Sequence, residues 1–301
     1  MKFSISAPKQ VQPILSFKNK PSIVNVNSFL HPREKVVFVM GATGSGKSRL
    51  AIDLAHGVPH HLLGVFDSED GNLTATDFTL LASQEISTLS ANNKLPIVAG
   101  GSNSYIEALA NHSSGLLLNN YECCFIWVDV SLPVLNAFVS KRVDRMMEAG
   151  LLDEVRQVYD PKADYSVGIR RAIGVPELHE YLRYESLVDR ATQRKMLDVA
   201  VRKIKQNTEI LACRQLQKIQ RLSKKWKPCM HHVDATEVFL KHNEEEADEA
   251  WENLVARPTK RIVDKFSNRH VMKNDSVEHC LTTIGAASYG GGSGSRAHNM
   301  I

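Results

Sequence analysis

Short apolar runs alternate with amphipathic stretches along the first half of the chain. Lys35–Met40 (KVVFVM), Leu95–Ala99 (LPIVA) and Cys124–Asp129 (CFIWVD) are nearly continuous apolar segments, a pattern that predicts buried strands. Between them, Arg49–Ala55 carries its apolar residues on one helical face. Thr76, followed by Asp77, is the expected cap of a helix running to about Leu89. Another helix is expected from about Asn103, and Ser131-Leu132-Pro133 has the cap-then-proline order of a helix start. Repeated strand–helix order implies a parallel sheet with helices on both faces.

After Gly150 the pattern predicts no more strands. Leu151–Tyr159 and Val175–Leu182 read as helices, and Leu187 to about Lys225 as one long helix closed by Pro228. Glu244–Glu249 reads as a solvated acidic helix face, and Gly290–Ser295 as a flexible tail. No internal repeat is visible.

Chemistry enters immediately after the first predicted strand. Gly41-Ala42-Thr43-Gly44-Ser45-Gly46-Lys47-Ser48 is a Walker A match lying between a strand and a helix, the context that such a motif requires. Its glycines let successive backbone N–H groups face an anion, and the following helix adds its positive end. Lys47 is placed to hold terminal phosphate oxygens and Ser48 to ligate Mg²⁺. The expected fold is therefore α/β: a P-loop NTPase-like parallel sheet flanked by helices, with a smaller helical subdomain after about residue 150. The expected division is a leader over 1–33, the P-loop domain over 34–266 and a flexible tail over 267–301.

Composition narrows this only slightly. The 301 residues carry a net charge of +4, which suits an anionic ligand without requiring nucleic acid. No apolar run is long enough for a spanning helix, so no membrane partner is expected. Five cysteines, none in a CxxC pair, argue against a disulfide framework or a zinc site. The first 33 residues hold no Asp or Glu but several Lys and Ser, the composition of an organelle transit peptide; a plastid address is expected, with the cytoplasm as the alternative.

Other candidates are less specific. Asp129 ends a strand, where it serves either as a metal partner or as a simple helix cap. Gly100-Gly101-Ser102 offers either a second anion nest or a tight turn. Arg142, Arg170, Arg171, Lys205 and Arg214 are surface charges taken singly, but as a set facing a P-loop they suit a ligand with two or more phosphates. His60-His61 and His231-His232 lack metal-ligand spacing. Scattered Trp127, Trp226 and Trp251 do not suggest a base-stacking platform.

Several stretches resemble the plant adenylate isopentenyltransferases within the wider isopentenyltransferase family. They are Val36–Leu50, Val58–Gly64, Ile97–Tyr105, Trp127–Ser131, Arg142–Met146, Gly168–Glu177 and Leu211–Gln215, collinear over roughly residues 35–240. The resemblance implies that the P-loop grips the diphosphate of dimethylallyl diphosphate while N6 of the adenine in ATP, ADP or AMP attacks the allylic carbon, the opening step of cytokinin synthesis. It implies Mg²⁺ as cofactor, Thr43 and Lys47 as catalytic stabilisers of the departing diphosphate, and Ser48 at the metal. It also implies phosphate-facing roles for Arg142, Arg171, Lys205 and Arg214. The form of Gly168–Glu177, and a tail whose one cysteine is Cys280, favour free nucleotides over tRNA as acceptor.

One departure is large. The family carries a strand and an Asn-Ser-Asp-Lys-like segment after the P-loop helix, and its Asp takes the adenine N6 proton. Here Ala55 runs directly into His56-Gly57-Val58-Pro59, so about thirty residues, one strand–helix unit, are missing and no residue inherits the Asp. Asp67 and Asp70 are the nearest carboxylates but follow a different segment. The competing readings are a tRNA dimethylallyltransferase, a P-loop kinase or NTPase, and an inactive nucleotide or diphosphate binder.

Overall fold

The computed structural model describes residues 33–55, 60–62, 73–111 and 120–269. The expected leader up to Pro32, Asp67, Asp70, Cys280, the tail from His270 and most of the loop around Gly57–Gly64 lie outside the described residues.

Among the described residues four strands form one parallel sheet: β1 (Glu34–Gly41), β2 (Ile97–Gly100), β3 (Tyr121–Asp129) and β4 (Met230–Asp234), in the order β2-β1-β3-β4. Val37 pairs with Ile97 and Cys124, and Phe125 pairs with Met230. The two central strands are the most buried, as strands covered on both faces must be.

Strand β4 corrects the expectation that strands stop after Gly150. Its sequence, MHHVD, has only one buried residue, Val233, so an edge strand with polar positions gives no apolar run to detect.

Alternation along β1 and β3 builds two cores. Val37, Val39, Ile126 and Val128 face α1 (Lys47–Ala55) through Leu50 and α4 (Leu132–Glu148) through Leu135 and Val139. The same core takes in Val238 from α8 (Thr236–Leu240) and Trp251, Val263 and Phe266 from the C-terminal helices α9 (Glu244–Trp251) and α10 (Arg257–Asn268); a short π-helix, Glu252–Ala256, joins α9 and α10. On the other face Val36, Phe38, Met40 and Phe125 meet α2 (Ala75–Ala91), α3 (Asn103–Asn111) and Trp226. Phe125 lies stacked between Phe38 and Trp226, with ring centroids 4.7 and 4.3 Å away.

Consecutive helices α1 and α2 thus lie on opposite faces, with no strand between them among the described residues. A chain ordinarily changes face through a strand of the sheet, and the sequence expectation of a missing strand–helix unit falls at this same junction, most of which lies outside the described residues. Among the described residues β2 lies at the sheet edge, short and with Ala99 exposed.

A third core is purely helical, joining Val143 of α4, Leu151 and Val155 of α5 (Leu151–Val158), Leu178 and Leu182 of α6 (Val175–Tyr184), and Ala200 and Ile204 of α7 (Arg190–Lys225). Helix α7, about 54 Å long at 1.5 Å per residue, also contributes Ala212 to the first core and Ile219 and Leu222 to the second. It starts at the Asp189 cap, whose carboxylate accepts from the Ala191 and Thr192 amides, three residues later than the pattern suggested. Helix α2 is likewise capped by Thr74 rather than Thr76: Thr74 Oγ1 accepts from the Asp77 amide and the Asp77 carboxylate accepts from the Thr74 amide, closing a reciprocal box. No described helix is long and apolar enough to cross a membrane.

Candidate functional site

The P-loop turns from the end of β1 into α1 at the C-terminal edge of the sheet, where open α/β sheets bind ligands. Gly44 and Gly46 have φ of 84° and 89°, in the left-handed region that glycine tolerates. A Cβ on Gly44 would come within 2.7 Å of Val139 Cγ1 on α4, and one on Gly46 within 2.7 Å of the Trp251 indole. The loop is therefore cast against two helices distant in sequence. Ser45 is fully buried with its hydroxyl unpartnered.

Lys47, in the first turn of α1, is half-buried beside the end of β2: a Cβ placed on Gly101 would lie 3.3 Å from its Cε and 3.5 Å from its Nζ. Its Nζ donates to the Ala42 carbonyl at 3.4 Å. Burial, and then the positive charge of Arg142, hold the Lys47 pKa below the ordinary lysine value. Such an ammonium gains most from an anion that restores the lost solvation.

Gln215 of α7, which did not stand out as a site residue in the sequence, bridges the two segments. Its Oε1 accepts from the Thr43 amide at 2.7 Å and its Nε2 donates to the Gly101 carbonyl at 2.9 Å. Buried Asn103, just beyond Gly101, donates to the Gln215 carbonyl at 3.4 Å, and its Oδ1 is unpartnered. Lys218 then ties α7 to α3 through Ser104 at 2.6 Å and Glu107 at 3.1 Å. The signal in the sequence was only the adjacency of Gln215 to Arg214, because a contact 172 residues from Thr43 leaves no periodic trace.

The second support comes from α9. Trp251 Nε1 donates to Asp53 Oδ2 at 2.7 Å. Arg49 stacks 4.6 Å from the indole and pairs with Asp248 at 2.8 Å. Part of the face read as merely solvated therefore anchors the helix that follows the P-loop.

The basic residues separate. Arg142 is exposed on α4 and acts on Lys47 through its charge. Lys205 pairs with Asp144 at 2.6 Å, linking α7 to α4. Arg170 and exposed Arg171 lie on the 3-10 turn Gly168–Arg171; Arg170 sits beside Tyr165, opposing the upward shift that burial gives that phenol. Arg214 is exposed on α7. The Asp129 carboxylate accepts from the Val130 amide at 3.0 Å and lies 2.9 Å from His232 Nε2 on β4.

The family model described as IPP transferase matches residues 46–117 and 110–221. Adenylate isopentenyltransferase 7, mitochondrial, of Arabidopsis thaliana is 75% identical, with the whole of both chains covered. That alignment spans 333 positions against the 301 residues here, so about thirty aligned positions fall opposite gaps in this chain. Adenylate isopentenyltransferase 5, chloroplastic, of the same plant is 50% identical over 88% of this chain and 90% of its own. Among solved structures, a eukaryotic dimethylallyltransferase acting on tRNA aligns with a TM-score of 0.63 and 18% identity, covering 81% of this chain and 82% of its own. The tRNA isopentenylpyrophosphate transferase of Bacillus halodurans gives 0.53 and 20%, covering 77% and 99%. These two likenesses concern the fold.

The plastid expectation falls on these comparisons, since the relative matching the full length is a mitochondrial protein. An acid-poor, basic, serine-rich leader is common to both organelles, so composition could not separate them.

Proposed function

The chain belongs to the IPP transferase family, whose members are prenyltransferases, and from that premise we propose that it transfers the dimethylallyl group of dimethylallyl diphosphate to N6 of the adenine in ATP, ADP or AMP. The product is a prenylated adenine nucleotide, the entry to cytokinin biosynthesis. The single observation that carries the reading is the P-loop with a half-buried Lys47 whose charge burial has made costly, in a chain 75% identical to an adenylate isopentenyltransferase.

In the step, the N6 lone pair forms the new bond to the allylic carbon, the carbon–oxygen bond breaks, and its electron pair leaves on the diphosphate. An N6 proton must then depart. Lys47, the loop amides and the charge of Arg142 stabilise the negative charge that builds on the leaving group. Mg²⁺ fits this donor set: it favours oxygen ligands, keeps several waters and binds chiefly through substrate phosphates, so the exposed Ser48 hydroxyl on the first turn of α1 suffices as its protein ligand. When bound, it supplies further neutralisation of the diphosphate.

No residue of this chain matches the family's proton-accepting Asp. General-base catalysis contributes about 10²–10⁴-fold, so turnover is expected to be slower, by about that factor, than in a family member that carries the Asp. The protein is assigned to mitochondria, following the relative that matches its full length.

The test is an incubation of the purified protein with AMP, ADP or ATP, dimethylallyl diphosphate and Mg²⁺. Slow formation of N6-dimethylallyl nucleotide supports the reading. Phosphate released from ATP without a prenylated product overturns it in favour of an NTPase, and diphosphate binding with no product at any time leaves an inactive binder.

A further inference from the structure

We infer that Gln215 is a positioning residue for the diphosphate site, the strap that fixes the P-loop against the end of the edge strand and so sets where Lys47 stands. This rests on the P-loop being the diphosphate site, as proposed above.

The two carboxamide contacts have opposite polarity. Oε1 accepts from Thr43, the third residue of the loop, and Nε2 donates to Gly101. Only an amide of this length satisfies both ends at once: a carboxylate lacks the donor, and an aliphatic chain lacks both. Lys47 lies in the angle between the strapped segments, its Cε 3.3 Å from where a Gly101 Cβ would stand. If Gly101 or the loop shifts, the ammonium shifts with it.

The strap matters because β2 is otherwise weakly held. It has four residues and, among the described residues, pairs on one side only. Short edge strands are the least constrained part of a sheet. Gln215 is anchored from the opposite direction. It sits on α7 between Ala212 and Ile219, both completely buried, and α7 is fastened to α3 by Lys218 and by Arg221, which meets Glu107 at 3.0 Å. The long helix thus lends its rigidity to a sheet edge that pairing alone would leave loose.

The test uses the full chain and inorganic diphosphate with Mg²⁺, titrated calorimetrically, beside the thermal midpoint of each variant. Gln215→Met keeps the length and removes both hydrogen bonds. Gln215→Glu keeps the acceptor for Thr43 and removes the donor to Gly101. Leaving half-buried partners unpaired and Lys47 misplaced is expected to weaken diphosphate binding by roughly 10- to 100-fold in both variants. The Michaelis constant for dimethylallyl diphosphate should rise while that for AMP is unchanged. Wild-type diphosphate affinity in a folded Gln215→Glu protein, or equal rises in both Michaelis constants, overturns the inference. If Gln215→Met fails to fold, Gln215→Glu decides. Wild-type protein that binds no diphosphate at all defeats the functional reading instead, so the two failures are separable.

Discussion

The indole of Trp251 packs against Gly46, so close that a Cβ on the glycine would meet its ring carbons at 2.7 and 2.8 Å. A residue in the last helical stretch therefore shapes the loop that opens the domain. Its N–H fixes the ring through Asp53, and the Arg49 guanidinium lies over the ring, 4.6 Å from its centroid.

Trp251→Ala should cost about 3–5 kcal/mol of stability by leaving a cavity behind the loop. Trp251→Phe keeps most of the packing and removes only the bond to Asp53, so about 1–3 kcal/mol is expected. Urea unfolding of the two variants measures both, and equal losses would show that the bond to Asp53, not the packing on Gly46, carries the stabilisation.

Diphosphate binding should weaken with rising pH earlier than an ordinary lysine would predict. The free protein holds the Lys47 pKa low through burial and Arg142, while a bound anion favours the ammonium. Affinity is therefore lost as pH climbs through the lowered value. Folding stability moves oppositely: between that value and the unfolded lysine pKa of about 10.4, the unfolded chain binds more protons, so stability rises with pH. Calorimetric titrations across this interval check the first sign, with Lys47→Arg as the control whose charge persists.

Inserting after Ala55 the strand–helix unit and Asp-bearing segment that the family resemblance implies should raise prenyl transfer by about 10²–10⁴-fold, the typical worth of a general base. It should also raise the thermal midpoint, because β2 would gain a neighbour. Product formation and a melting curve read the two effects separately; a chimera that melts higher without turning over faster would mean that the missing Asp is not what limits the rate.

Residues 1–33 fused to a fluorescent protein should collect in mitochondria when expressed in plant cells. Accumulation of the fusion in the cytoplasm would show that the basic leader carries no address.

The sequence by itself determined the local features. Three of the four strands, the P-loop between strand and helix, and the long helix from about 187 to 225 were legible because each is written in contiguous residues: an apolar run, a glycine spacing, a 3.6-residue period. The motif order was sufficient for the family. Tertiary structure alone decided what those features lean on. Strand β4 was invisible because an edge strand needs one buried residue and neighbours to pair with, not an apolar run. Gln215 meets Thr43 and Gly101, Trp251 meets Gly46, and Lys205 turns to Asp144, all across long separations in sequence. Such contacts arise from how helices cross the sheet, and the one-dimensional pattern records which face of a helix is apolar but not which loop it will touch.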